Sequence, residues 1–254
     1  MSFSLKEATD QVDIFFNEKY EIISGQVIPT VDDLPLGNFG KEINLCILFV
    51  DLRESTKIVR SLKRETCAKM YKSFLWGVSK IARGNGGETK SFNGDGVLVV
   101  FHGLNKEIQA VKTALQLSFY ITDILKPKIQ SYIDKSIKLS DIDFNFGIGI
   151  DTGTVLVVRG GIKGEGNNDL VWAGNATNQA VKLSAYSKEN IEKDFKPHIF
   201  ISEDVYSQLS ENLKVHKTGL TLPIRTPIWK KKFMGLLSMN SSKMYYTNYR
   251  IKLK

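Results

Sequence analysis

The sequence predicts a mixed β-sheet with helices packed on it. Short apolar runs, such as residues 43–50 (INLCILFV), alternate along the chain with segments of helical period, such as 65–83. Several of these runs are joined by tight-turn chemistry, Asn93-Gly94-Asp95-Gly96 and Asp151-Thr152-Gly153-Thr154, which asks for antiparallel neighbours. The 254 residues, 42% hydrophobic and 24% charged, suffice for one large domain with extensions.

Taken in order, residues 4–20 space Leu5, Ala8, Val12, Phe15 and Phe16 at a helical period. Residues 24–41 carry two prolines and three glycines without periodicity and read as a linker, so a boundary falls near Asn38, separating 1–38 from 39–254. Residues 43–50 form a short strand, buried on both faces if it is central in the sheet. Helices are expected over 56–62 and 65–83, the second ended by the Gly84-Asn85-Gly86-Gly87 cluster. Strands at 88–92 and 97–101 flank the Asn93–Gly96 turn. A long amphipathic helix over 105–133 follows, ended or kinked at Pro127. Two further strands, 143–150 and 155–159, flank a turn at 151–154. A glycine-rich loop (160–168), a strand (169–173) and a helix (175–186) come next. A strand at 198–202, a short helix at 203–209 and a last strand at 243–251 complete the reading.

The bulk numbers exclude several function classes. No stretch reaches the ~18 apolar residues of a membrane span. The N-terminus mixes acids with apolar residues and lacks the pattern of a secretory signal. Cys46 and Cys67 fall within an expected strand and helix, as reduced core thiols of a cytoplasmic protein would. Three scattered histidines make a zinc site a poor expectation. The net charge of +8 is spread along the chain, so it suits attraction of an anionic substrate as well as nucleic-acid binding, and no nucleic-acid partner is expected.

Two carboxylates carry the chemistry. Asp51 ends the 43–50 run and could be a helix N-cap alone. Asp95 could be a turn residue alone. If the two strands are neighbours, the acids sit at one sheet end, where they repel unless a cation lies between them. Mg²⁺ or Mn²⁺, held by carboxylates and substrate phosphates, would supply that charge. Two such ions about 4 Å apart can activate one oxygen and stabilise another. Backbone N–H groups around Arg53, Glu54, Ser55 and Thr56, with the last two hydroxyls, form an anion site suited to a triphosphate. Asn178 and Lys182 are spaced i, i+4 on one helix face, an amide beside a cation, although a solvated polar face explains them equally well.

These residues lie in three ordered blocks: LFVDLREST, SFNGDGVLVVF with the later FGIGIDTG, and AGNATNQAVKL. Within about 44–183 the chain resembles the catalytic domain of class III nucleotidyl cyclases. The resemblance implies a ferredoxin-like α+β domain, working as a homodimer with active sites at the interface. It assigns metal binding to Asp51, Leu52 and Asp95, in a two-metal Mn²⁺ or Mg²⁺ site. It assigns ribose contact and nucleotide orientation to Asn178, and places Lys182 where the family carries a transition-state arginine. Lysine keeps the charge but loses the planar fork, and Arg159 or another basic residue across the interface is the candidate to supply it. Lys230–Lys232 and Lys243 are candidates for the γ-phosphate.

The base-reading positions of purine cyclases correspond to Ser91 and Val171, and neither carries the purine pair. A site that tells bases apart needs donors and acceptors matched to their edges. That pattern looks like the bacterial pyrimidine cyclases of anti-phage defence, which make cyclic CMP or cyclic UMP from CTP or UTP. The competing readings are an adenylate cyclase with an atypical base pocket, a cyclase-like domain that binds nucleotide without turnover, and a basic nucleic-acid-binding domain. The last leaves the paired aspartates unexplained.

Overall fold

A computed structural model describes residues 4–133, 144–162, 166, 168–188, 196–218, 224–233 and 243–253. Two compact units share the chain: Met1–Asn44 with Thr154–Asn175, and Leu45–Gly153 with Ala176–Lys254. Each is built from part of two long strands, β2 (Phe39–Arg53) and β5 (Asn145–Gly160).

In the smaller unit, helix α1 (Leu5–Asn17) starts at Ser4, whose hydroxyl accepts from the Glu7 N–H at 3.1 Å. The Asn38 amide closes the other end, donating to the carbonyls of Ile14, Phe15 and Glu18. No residue of α1 is buried. Strand β1 (Glu21–Ser24) pairs in parallel with the start of β2, Glu21 opposite Phe39. Strand β6 (Asp169–Ala173) pairs antiparallel with the end of β5, Leu156 opposite Ala173. The expected 24–41 linker therefore already contains paired strand. Gly40 permits this, since a Cβ there would come within 2.7 Å of the Leu156 side chain.

In the larger unit, helices α2 (Ser55–Ser61) and α3 (Arg64–Gly84) follow β2. Strands β3 (Glu88–Asn93) and β4 (Gly96–Phe101) make a hairpin, and α4 (Lys106–Phe119) comes next. The expected single helix over 105–133 is instead three segments: α4, a π-helical stretch at Tyr120–Leu125, and α5 (Lys126–Tyr132). The Lys126 N–H reaches back five residues to the Ile121 carbonyl. Pro127 has no N–H to give, and it falls where the π-helical stretch passes into α5. Helix α6 (Asn175–Ala185), β7 (Ile199–Ser202) and the short helices α7 (Glu203–Ser207) and α8 (Glu211–Lys214) follow. Strands β8 (Val215–Thr218) and β9 (Ile224–Pro227) form a separate antiparallel pair. Strands β10 (Lys230–Phe233) and β11 (Lys243–Thr247) end the sheet, whose order is β10-β11-β7-β5-β2-β4-β3. It is mixed, with β5 and β7 parallel and the β2/β4, β3/β4, β7/β11 and β10/β11 pairs antiparallel.

The period-2 alternation of the strands decides which residues enter which layer. Leu48 and Val50 of β2, Val97 and Val99 of β4, and Ile148 and Ile150 of β5 share one core with Phe74 and Val78 of α3 and Val111 and Leu115 of α4. Phe200 of β7 faces the opposite way, with Leu183 of α6, Met244 and Tyr246. Strand β2 is thus central and buried on both faces, as its continuous apolar run requires.

The turn expected at 151–154 does not form: β5 runs straight through it. Thr152 is held extended, its hydroxyl donating to the Leu45 carbonyl at 3.2 Å and to Glu107 Oε1 at 2.6 Å. Asp-Thr-Gly-Thr carries turn chemistry, but long-range bonds outweigh it. Among the described residues no helix is long and apolar enough to cross a membrane. Cys46 and Cys67 are buried, unpaired thiols. Part of the glycine-rich loop expected at 160–168 lies outside the described residues.

Candidate active site

The antiparallel register of β2 on β4 sets Asp51 opposite Gly96. Asn93 of β3 also pairs with Gly96, so Gly94 and Asp95 form a two-residue turn, and Gly94 adopts the positive φ of 65° that such turns favour. The two carboxylates therefore stand at the same end of adjacent strands, both half-buried. Gly96 has a packing role as well, because a Cβ there would approach the Phe49 ring to 2.6 Å.

Asp51 is held from behind. The Arg53 guanidinium, on the same strand face two residues on, donates to Asp51 Oδ2 at 3.0 Å and to Ser187 Oγ at 2.6 Å, and also to the Ser184 carbonyl. Arg53 is 4% exposed. Burial pulls its pKa below the ordinary value, while the Asp51 and Asp95 carboxylates oppose that shift. Tyr71 of α3 lies in the same field. Burial raises its phenol first, then the Asp95 carboxylate, with a smaller push from Asp51 and a counter-pull from a hydrogen bond to Ser55.

Beyond Arg53 the chain turns sharply into α2. Glu54 adopts left-handed backbone (φ 55°, ψ 28°) at the N-cap, a conformation uncommon for a side-chain-bearing residue and often found at functional sites. Its carbonyl accepts from the N–H groups of Lys57 and Ile58 at 2.8 and 3.0 Å, and its carboxylate pairs with Lys57 at 2.9 Å. The N–H groups of Ser55 and Thr56 precede the first helical bond, so the helix itself leaves them without a partner. Backbone donors thus stand beside the aspartates, but the Arg53 side chain is committed inward.

The residues fit a hard divalent cation. Two carboxylates at one sheet end supply anionic oxygens, and the Leu52 side chain is in the core, so only its carbonyl can serve as a ligand. Among the described residues no group of three His, Cys, Asp or Glu side chains converges to hold a metal. The remaining oxygens would have to come from water or a phosphate ligand, as is usual for Mg²⁺.

Helix α6 turns Ala180, Leu183 and Ser184 inward and rests on β5, where Gly149 has no side chain to keep the Ala180 carbonyl away. Asn178 and Lys182 share its exposed face. Ser91 lies on β3 opposite Leu98, next to a bulge at Lys90. Val171, on β6 of the smaller unit, is 51% exposed. Arg159 is engaged within that unit, its guanidinium donating to the Leu34 carbonyl at 3.3 Å and lying 3.8 Å from Asp32. Lys243 pairs with Glu203 at 2.8 Å, and Lys230–Lys232 form the first three residues of β10. Sequence reasoning missed Ser184, Ser187, Tyr71 and the inward role of Arg53. One signal was available: residues i and i+2 of a strand share a face, so an arginine two after an aspartate lies beside it.

A family model described as the adenylate and guanylate cyclase catalytic domain matches residues 40–228. A uridylate cyclase of Rhodovulum sp. is 32% identical over 209 residues, covering 82% of this chain and 81% of that protein. A uridylate cyclase of Xanthomonas perforans is 29% identical over 240 residues, covering 94% of each. Among solved structures, the adenylyl cyclase CyaB from P. aeruginosa superposes with a TM-score of 0.60 at 19% identity, over 85% of this chain and 99% of that one. This last likeness establishes the fold.

Proposed function

The chain belongs to the adenylate and guanylate cyclase catalytic-domain family, and from that premise we propose that it is a uridylate cyclase, closing UTP to 3′,5′-cyclic UMP with release of pyrophosphate. It is a nucleotidyl cyclase, and its substrate class is the pyrimidine nucleoside triphosphates. The choice of UTP over CTP is supported by the relatives' named substrate. The observation that carries the reading is the register of Asp51 on Gly96, which sets both carboxylates at one sheet end.

The ribose 3′-oxygen attacks the α-phosphorus in line; one P–O bond forms, the bond to pyrophosphate breaks, and the 3′-hydroxyl proton passes to solvent. Asp51, Asp95 and the Leu52 carbonyl would hold the divalent cation, which when bound neutralises phosphate charge and favours the ionised 3′-oxygen. The N–H groups and hydroxyls of Ser55 and Thr56 orient the triphosphate. Asn178 holds the ribose, and Lys182 offsets charge developing on the phosphate. Arg53 fixes Asp51, so the carboxylate need not reorganise as charge moves. Ser91 and Val171 lie at the base-specificity positions. We assign the catalytic domain to residues 39–254 and an N-terminal extension to 1–38.

The exposure of Asn178 and Lys182 on the outer face of α6 supports a site completed by a second copy, and a two-fold homodimer would hold two equivalent sites. Through the resemblance to pyrimidine cyclases, the product is read as an alarm signal in anti-phage defence.

Incubating the chain with ATP, GTP, CTP and UTP separately, with Mn²⁺, and resolving products by mass tests the reaction. Cyclic UMP with pyrophosphate is expected, abolished in Asp51→Ala and Asp95→Ala while the far-UV spectrum is kept. Cyclic AMP as the sole product, or near-wild-type turnover in either variant, overturns the assignment.

A further inference from the structure

Away from the carboxylates, a groove of about 680 Å³ lies on the larger unit between α3, α4, the π-helical stretch and the tail at 251–253. That volume suits one small molecule. Its floor is formed where α3 meets Tyr120. Gly77 has no side chain there, and a Cβ would lie 2.8 Å from the phenol oxygen. The phenol itself is fixed, donating to the Ser73 carbonyl at 2.9 Å. Two amides line it as well. Asn85 Nδ2 donates to Gln116 Oε1 at 2.6 Å and to the Ile81 carbonyl at 3.0 Å. With those atoms engaged, Gln116 Nε2 and Asn85 Oδ1 are the donor and acceptor left to meet a ligand. The tail forms the third side, tied down by the Ile251 N–H on the Leu115 carbonyl at 3.2 Å.

The walls carry an aromatic face and a one-sided charge. Trp76 is 61% exposed, and Lys80 stands one helical turn further along α3. Lys112 on α4 and Lys252 on the tail complete the set. These lysines come from three distant parts of the sequence, and only the fold gathers them. Among the described residues none of the three makes an ion pair. No aspartate or glutamate lines the groove, and the neighbouring Asp123 is taken by Arg250 at 2.8 Å. A groove with an exposed indole, unpaired cations and no acid complements a ligand that is both aromatic and anionic.

We propose that this groove is a second nucleotide site, taking a mononucleotide with its base against Trp76 and its phosphate among Lys80, Lys112 and Lys252. Its lining shares no residue with the carboxylate site, and its recognition needs no divalent cation. A single-stranded nucleic acid uses the same two elements, but it needs a groove that tracks several nucleotides, whereas the volume of about 680 Å³ here suits one small molecule.

The intact 254-residue chain reports on this site directly. Of its three tryptophans, Trp172 and Trp229 are buried, so fluorescence quenching follows Trp76. Titration with UMP and with AMP in EDTA is expected to give saturable quenching that persists in Asp51→Ala. By calorimetry, Trp76→Ala and the Lys80→Glu/Lys112→Glu pair should each weaken binding by about tenfold or more, whereas Trp76→Phe should retain it. All three positions are exposed, and unchanged circular dichroism confirms that the variants fold. The proposal is overturned by any of four results: no saturation at millimolar nucleotide, binding unaffected by charge reversal, inorganic pyrophosphate binding as tightly as UMP, or a thymidine decanucleotide binding far more tightly than UMP.

Discussion

Arg53 holds the Asp51 carboxylate in place. It is buried, and it spends its donors on one carboxylate, one hydroxyl and one carbonyl. Arg53→Ala leaves the Ser184 carbonyl and the Ser187 hydroxyl without that donor, costing about 1–3 kcal/mol of stability. It also frees Asp51 to move, and turnover at saturating cation is expected to fall roughly 10–100-fold. Arg53→Lys keeps the charge without the fork and should stay nearer to alanine than to the parent. Wild-type turnover in Arg53→Ala would remove it from the machinery. Asp151 sets a different kind of test. It is 6% exposed, and burial pushes its pKa from the ordinary 3.8 up to about 6. The folded chain holds that proton more tightly than the unfolded one. The group therefore favours the fold below its ordinary value and opposes it as pH rises toward and past 6. The gap corresponds to about 3 kcal/mol. Asp151→Asn should be more stable than the parent above pH 6 by up to that amount, with the difference vanishing below about pH 4. Denaturant melts across this range check it, and parallel pH profiles would refute it.

At the scale of elements, α6 owes its position to glycine. A Cβ on Gly149 would press into the Ala180 carbonyl and lie 2.9 Å from Leu183 Cβ, and backbone cannot give way as a flexible side chain can. Gly149→Ala is expected to cost about 1–3 kcal/mol and, by displacing Asn178 and Lys182, to lower turnover in the protein that remains folded. Gly84, near the end of α3, is the control: nothing lies within 4 Å of a Cβ there. Gly84→Ala should stabilise by roughly 0.5–1 kcal/mol and leave turnover unchanged. Thermal midpoints with activity at matched folded fraction separate the two effects. The same strand shows why local reading failed at 151–154. Turn propensity is a weak local preference, and Thr152 is anchored to residues 107 and 45 positions away.

For the molecule as a whole, the question is whether one chain completes a site. Mixing Asp51→Ala with Lys182→Ala, each inactive alone, is expected to restore cyclase activity after co-refolding or co-expression. In a heterodimer, one interface then keeps both aspartates from one chain and both α6 residues from the other. No recovery, with dimer formation shown by sedimentation, would place the whole site within one chain.

The sequence by itself determined the apolar strand that ends in Asp51, the Gly94–Asp95 turn and the amide–cation spacing on α6. These are short-range properties, fixed by side-chain period, steric limits on φ and the donors each residue carries. The tertiary structure decided the pairing of Asp51 with Gly96, the inward turn of Arg53, the exposure of Asn178 and Lys182, and the convergence of Lys80, Lys112 and Lys252. Each depends on which distant segments pack together; Arg53 and Ser187, for example, lie 134 residues apart. No local pattern encodes such a contact, because its free energy arises only once the sheet has closed and both partners have been taken out of water.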